Sequence, residues 1–162
     1  MGWLTRMVPA RVLGGAAVAG TARGVFPRTD RALQRLTGGR FSLAAAVGMP
    51  LLLLETTGRR TGERRVTPLS YAAADAGSFI VTASNWGQRH QPGWALNLLA
   101  APHATVSLRG RRFPVTAWIL SGRERAEAWA LLLDVWPAYD EYARRVSSTS
   151  GREIMVFRLE RG

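Results

Sequence analysis

From Met49 onward the apolar residues come in short runs, broken by turn-forming residues about every ten positions, which is the rhythm of antiparallel strands. Pro50–Thr57 is a nearly continuous apolar run, Gly58-Arg59-Arg60-Thr61-Gly62 reads as a loop, and Arg65–Ala72 reads as its hairpin partner. Asp75-Ala76-Gly77 turns the chain into a strand over Ser78–Ala83. Thr105–Leu108, the turn Arg109-Gly110-Arg111 and Arg112–Leu120 form a second hairpin. Within it Phe113, Val115, Ala117 and Ile119 alternate with Arg112, Pro114, Thr116 and Trp118, so the first set is expected to face the core. Ile154–Leu159 completes a set of about six strands.

Two helices are predicted between the strands. One covers Pro92–Ala100. The other starts at Ser121, where Ser121 and Glu124 have capping-box spacing and Ala126, Trp129, Ala130 and Leu133 share a face; Pro137 ends or kinks it. Strands in hairpins with helices in the longer connections indicate an α+β barrel of mostly antiparallel strands, not a doubly wound sheet.

The first part of the chain is different. Residues 1–42 are rich in glycine and carry Arg6, Arg11, Arg23, Arg28, Arg31 and Arg35 among Trp3, Leu4, Met7, Val8, Phe26 and Leu33. The apolar stretch Val12–Ala22 is too short to span a bilayer, and Val12–Ala19 is a weak centre for a signal peptide. The division expected is a basic arm or amphipathic segment over 1–42 and a barrel domain over 43–162. The arm suits the surface of an anionic membrane, or equally a segment packed on the barrel. The location expected is cytoplasmic, with peripheral contact at the inner face of the membrane.

Charge and composition narrow the chemistry. All 22 basic residues are arginine, the net charge is +11, and seven arginines against one acid precede Glu55. Such an excess calls for an anionic partner: a cofactor, a lipid surface or a nucleic acid. Nucleic acid fits least, because no aromatic residues are interleaved with the basic loop to form a stacking groove. The lack of cysteine excludes thiolate chemistry, disulfides and iron–sulfur clusters. His90 and His103 are too few for a metal site, and none is expected. No Gly-x-Ser-x-Gly elbow is present, and Ser84 has no base near it in sequence; its simplest use is a hydrogen bond to a ligand. A chain without a nucleophile or a metal can still catalyse if a cofactor supplies the reactive atom.

Two features remain. The loop Gly58–Arg65 lacks the Walker and dinucleotide fingerprints, yet it presents Arg59, Arg60, Arg64 and Arg65, whose guanidinium forks match carboxylate and phosphate oxygens. The plainer reading is a solvated charged face. Trp136, Tyr139 and Tyr142 are three apart, so they gather on one side of a helical turn. Core packing is the usual reason for such a stripe, but the flanking Asp134, Asp140, Glu141, Arg144 and Arg145 favour a partly exposed pocket rim.

Taken in order, Leu51–Gly62, Arg65-Val66-Thr67-Pro68-Leu69, Val81-Thr82-Ala83-Ser84, Pro92-x-Trp94-x-Leu96-Asn97-Leu98, Trp136-Pro137-x-Tyr139-x-x-Tyr142 and Arg152-Glu153-Ile154 resemble the deazaflavin-dependent nitroreductase family. The resemblance covers about Pro50–Glu160 and implies a split β-barrel that binds the deazaflavin coenzyme F420, with FMN as the rival cofactor. It implies that Arg59, Arg60 and Arg65 hold the anionic tail, with Thr67 and Pro68 beside them. Ala83, Ser84 and Asn85 would lie along the ring, and Trp94 and Asn97 would shape its pocket. Trp136, Tyr139 and Tyr142, with Ser84, would face a small acceptor such as a quinone or nitro compound, a tyrosine hydroxyl or water supplying a proton or steadying developing negative charge. The chain departs from its relatives at Ser84-Asn85-Trp86-Gly87, where Ser-Lys-Gly-Gly is common, at Trp136, where tyrosine is common, and at Glu55, where a small hydroxyl residue is usual. A binding module without turnover, at a membrane surface or around a cofactor, is the reading from a different class.

Overall fold

The computed structural model describes residues 48–75 and 77–162. The proposed arm over 1–42 lies outside the described residues. The strands are β1 (Leu51–Thr57), β2 (Arg64–Ser70), β3 (Ala72–Ala73), β4 (Ser78–Thr82), β5 (His103–Leu108), β6 (Arg111–Ile119) and β7 (Val156–Arg161). The helices are α1 (Gly93–Ala100), α2 (Gly122–Val135) and α3 (Tyr139–Ser150), and Asn85–Gly87 forms a short 3-10 turn.

The seven strands form one sheet in the order β2-β1-β5-β6-β7-β4-β3, antiparallel at every pairing. The two outermost strands, β2 and β3, are joined by Tyr71 alone. A single residue cannot cross the width of a flat sheet, since an extended residue spans at most about 3.6 Å. The sheet must therefore curl until its edges approach, and the Tyr71 amide, which donates to the Pro50 carbonyl at 3.2 Å, fastens the seam. This is the expected α+β split barrel, with one strand more than the sequence pattern resolved.

Alternation along the strands separates two cores. The inner face carries Leu52, Leu54, Val81, Val106, Phe113, Val115, Phe157 and Leu159, closed by Trp94, Ala95 and Leu98 from α1. Each such large apolar side chain contributes about 1.5–3 kcal/mol by leaving water. The opposite face of β3, β4 and β7 packs Ala72, Ile80 and Val156 against Ala128, Leu132, Trp136, Tyr139, Tyr142 and Val146 of the α2–α3 region. The β5–β6 hairpin closes through Arg109 and Gly110, both at positive φ (49° and 77°), the two-residue turn whose twist matches paired strands.

Three local expectations are corrected. Ser121 stands at the N-cap of α2, but its side chain makes no capping bond: Gly122 enters the helix at φ +51°, so the first turn does not present its amides to the hydroxyl. Of the face expected on α2, Trp129 and Leu133 pack against the second core, but its fully buried residues are Ala128 and Leu132, whereas Ala126 and Ala130 are exposed. Ile119 is 53% exposed, because β6 outruns the inner core there, and Leu120 instead turns into the second core with its amide on the Val156 carbonyl.

Candidate functional site

The register sets where the site is built. Thr57 at the end of β1 faces Arg64 at the start of β2, Glu55 faces Thr105 near the start of β5, His103 faces Thr116 near the end of β6, and Thr82 at the end of β4 faces Val156 at the start of β7. The β1–β2 loop, the long β4–β5 connection and the α2–α3 connection therefore all leave from one end of the sheet. Among the described residues the other end has only tight turns. The sequence itself gives no sign of this convergence; it follows from strand order.

The arginine loop is short and internally closed. The Gly58 amide donates to the Glu63 carbonyl and the Gly62 amide to the Gly58 carbonyl, both at 2.7 Å. A Cβ on Gly58 would meet Thr61 Oγ1 at 3.0 Å and the Glu63 carbonyl oxygen at 3.1 Å, so a side chain there would push the loop open by a few tenths of an ångström. Arg59 and Arg60 stand exposed at the tip with no ion pair among the described residues. Arg65 is paired with Glu63 at 2.5 Å, with both side chains more than half exposed. A pair so open to water contributes about 0–1 kcal/mol, so a stronger anion can displace it.

Strand alternation divides the other tail candidates. Arg65 and Thr67 lie opposite Thr56 and Leu54, on the inner face, whereas Arg64 and Pro68 lie opposite Thr57 and Leu53, on the outer face. Pro68 is thus not brought together with Arg65 and Thr67; it occupies an edge strand, where a missing amide donor is tolerated. Arg64 pairs with Glu55 at 2.5 Å, and Arg112 reaches the same carboxylate oxygen at 2.8 Å. This accounts for a carboxylate at position 55: it is neutralised by Arg64 from the adjacent β2 and by Arg112, which reaches it from β6 across β5.

Asn97 and Trp94 are buried. Asn97 accepts from the Arg59 amide at 3.2 Å and donates to Thr56 Oγ1 at 3.1 Å. Its side chain is committed to holding the arginine loop on β1. Trp94 packs on Phe157, ring centroids 5.7 Å apart, within the inner core. Asn97 is thus engaged by the arginine loop and Trp94 by the inner core.

Ala83 is fully buried and its amide donates to the Met155 carbonyl at 2.9 Å. Ser84 follows it as the N-cap of the 3-10 turn, with no side-chain capping bond, and Asn85 donates from Nδ2 to the His90 carbonyl at 2.9 Å. Sequence reasoning missed the residue that holds this segment. Arg152 donates from Nη1 to the Ala83 carbonyl (3.2 Å) and Gln91 Oε1 (3.1 Å), from Nη2 to the Ser84 (3.0 Å) and Gln88 (2.8 Å) carbonyls, and from Nε to the Gln88 carbonyl (3.1 Å). Burial pulls its pKa below the ordinary arginine value. The available signal was Gly151, whose φ of +65° ends α3 and turns the next residue back toward the loop.

The aromatic group is not the partly exposed rim expected. Trp136, Tyr139 and Tyr142 are 8%, 5% and 3% exposed, because α3 turns Asp140 and Arg144 to solvent and its tyrosines to the sheet. Tyr139 and Ser70 hydroxyls are 2.5 Å apart, and the Tyr139 and Tyr142 rings meet edge to face at 6.2 Å. Burial pushes the Tyr139 pKa up to about 12, against a smaller lowering by the Ser70 hydrogen bond. His90 and His103 are both exposed, and among the described residues no cluster of metal-ligating side chains occurs. No described helix is long and apolar enough to cross a membrane.

Comparison with known proteins agrees with this geometry. The sequence matches the family described as F420H2-dependent quinone reductase over residues 26–160. It is 39% identical over 90 residues to an F420H2-dependent quinone reductase of Mycobacterium tuberculosis, a stretch that covers 56% of this chain and 60% of that protein. The chain thus aligns with less than two thirds of that relative's length. The solved structure of an F420-H2 dependent reductase (FDR-A) superimposes with a TM-score of 0.61 at 33% identity, covering 68% of this chain and 94% of the other. A structure described as a domain-swapped dimer superimposes with a TM-score of 0.62 at 32% identity, covering 84% and 96%. With its family match extending over most of the sequence, the chain belongs to the F420H2-dependent quinone reductases.

Proposed function

We propose that this chain is a reductase that takes hydride from the reduced deazaflavin coenzyme F420 and delivers it to a quinone-type acceptor. The observation that carries the reading is the loop tip. Arg59 and Arg60, exposed and without acidic partners among the described residues, stand at the same end of the sheet as Ser84 and Asn85. The donor set fits a phosphate- and carboxylate-bearing tail, since guanidinium forks bind both oxyanions with charge-assisted bonds.

In this reading Arg59, Arg60 and Arg65 hold the tail, and Thr67 shares the inner face with Arg65. Ser84 and Asn85 lie along the ring. When bound, the reduced coenzyme supplies the hydride. The protein's part is to exclude water, orient the acceptor and hold a proton. Tyr139 is the candidate for the last: its protonated hydroxyl is held by Ser70 within the aromatic cluster. Tyr142 lies against the turn that follows Ser84: a Cβ on Gly87 would come within 3.2 Å of its ring. Trp136 backs both tyrosines in the same buried cluster. A quinone suits an apolar, aromatic surround better than a nitro compound does, and the family name supports it. Contact with an anionic membrane through the basic arm, where quinones reside, completes the proposal.

Equilibrium dialysis against F420, FMN and NADPH, followed by turnover with a soluble quinone, tests the reading. F420 is expected to bind most tightly and its reduced form to be oxidised only when quinone is present. Tighter binding of FMN would overturn the cofactor; F420 binding without turnover would leave a binding module.

A further inference from the structure

The segment after β4 holds a conformation that its own sequence resists. Asn85, Trp86 and Gly87 all have positive φ, at 48°, 56° and 72°. Asparagine enters this region with little difficulty and glycine freely, but a bulky tryptophan there is an outlier that persists only when its surroundings impose it. A side chain at Gly87 would be strained at φ +72° and crowded, with its Cβ 3.1 Å from Arg145 Nη1 and 3.2 Å from the Tyr142 ring. The turn is therefore pressed onto α3 from one side. From the other side a single guanidinium spans it: Arg152 takes the carbonyls of Ala83 and Ser84, which enter the turn, and the carbonyl of Gln88, which leaves it. Gln91 locks the arrangement by accepting from Arg152 and donating to the Glu153 carbonyl at 3.1 Å.

The geometry points to Arg152 as the positioning residue of the site: by tying both ends of the Ser84–Gly87 turn to one rigid fork, it sets where Ser84 and Asn85 stand toward the ring of a bound coenzyme. It touches no reacting atom. This rests on the proposed F420 reading for its consequence, but not for the tie itself. Lysine cannot substitute, because an ammonium lacks the planar fork that reaches carbonyls on either side of the turn at once. The strain at Trp86 makes this chain depend on the tie more than a chain with glycine at that position would.

Three measurements decide it. Amide hydrogen exchange on the coenzyme-free protein should show residues 84–91 exchanging at least about tenfold faster in Arg152→Gln, while β4 and β7 keep their protection. Binding of F420 should weaken by about tenfold or more in the same variant. Trp86→Gly, added to Arg152→Gln, should recover most of that binding, because glycine takes the positive φ without strain. Should Arg152→Gln yield no folded protein, Arg152→Lys is measured in the same way. Unchanged exchange at 84–91, a rise shared equally by β4 and β7, or no recovery with Trp86→Gly in a chain that binds F420 overturns the assignment. If the wild type itself binds no F420, the proposed function fails, and the exchange measurement alone still decides whether Arg152 holds the turn.

Discussion

At the scale of single residues, the Tyr139–Ser70 contact is the one whose chemistry can be read most directly. Tyr139 is buried, its hydroxyl is 2.5 Å from that of Ser70, and burial pushes its pKa up from 10.0 to about 12. The folded state therefore keeps a proton that the unfolded chain loses first. Its contribution is constant below pH 10, and stability must fall as pH rises from about 10 to 12, by about 1.4 kcal/mol per pH unit for one such group. Urea midpoints for wild type and Tyr139→Phe should converge across that window and run parallel below it. Parallel curves throughout would mean that Tyr139 ionises no later in the folded protein than in the unfolded chain. The same residue gives a catalytic prediction. If it holds the proton for the acceptor, Tyr139→Phe lowers kcat with quinone about tenfold or more and leaves the coenzyme Kd within about twofold, a loss within general acid catalysis. An equal loss in both would reduce the tyrosine to packing.

At the scale of elements, the β1–β2 loop separates a ligand clamp from a solvated charge run. Charge-assisted contacts contribute about 1.5–3 kcal/mol each when partly desolvated, so Arg60→Ala should weaken F420 by tenfold or more. Arg64 lies on the outer face, paired with Glu55, and Arg64→Ala should change binding little. Equal small losses for both would indicate diffuse attraction. Asn97→Ala removes both the acceptor for the Arg59 amide and the donor to Thr56, which should cost about 1–3 kcal/mol in unfolding free energy and loosen the loop. The sequence made the hairpins legible, because period-two alternation and turn residues are local signals: Phe113, Val115 and Ala117 point in, and the Arg109-Gly110 turn falls where expected. It was a poorer guide wherever a contact is distant in the chain. Nothing in Trp136, Tyr139 and Tyr142 shows that the curled sheet supplies Ser70 and a second core to bury them. Nothing near Asn97 shows that Thr56, 41 residues away, takes its amide. Arg152 was visible only as part of a motif, since all its partners but the Gln91 side chain are backbone carbonyls, which carry no sequence signal.

At the scale of the whole molecule, the placement of function follows from topology and from the asymmetry of charge. An antiparallel sheet sends alternate connections to opposite ends. Here every long connection among the described residues leaves from one end, so Arg59, Ser84, Asn97 and Arg152 stand at that end although they span more than half the chain. The charge is distributed otherwise. Of the 22 arginines, seven precede Glu55 with a single acid among them, interspersed with Trp3, Leu4, Met7 and Phe26. Basic side chains near an anionic bilayer contribute about 1 kcal/mol each, and apolar neighbours add to this when they enter the interface. The family match begins at residue 26, so a chain lacking Met1–Val25 keeps all of the matched sequence. If the arm recruits the enzyme to the place where quinones dissolve, that truncation should sharply reduce sedimentation with acidic vesicles and leave sedimentation with neutral vesicles as low as before. It should also leave turnover with a soluble quinone unchanged while slowing turnover with a quinone embedded in acidic vesicles. High salt should produce the same selective loss in the full chain, because exposed charges are screened beyond about 8 Å at physiological ionic strength and more closely above it. Unchanged sedimentation after truncation would remove the arm from membrane recruitment and leave any attraction to the arginines of the barrel itself.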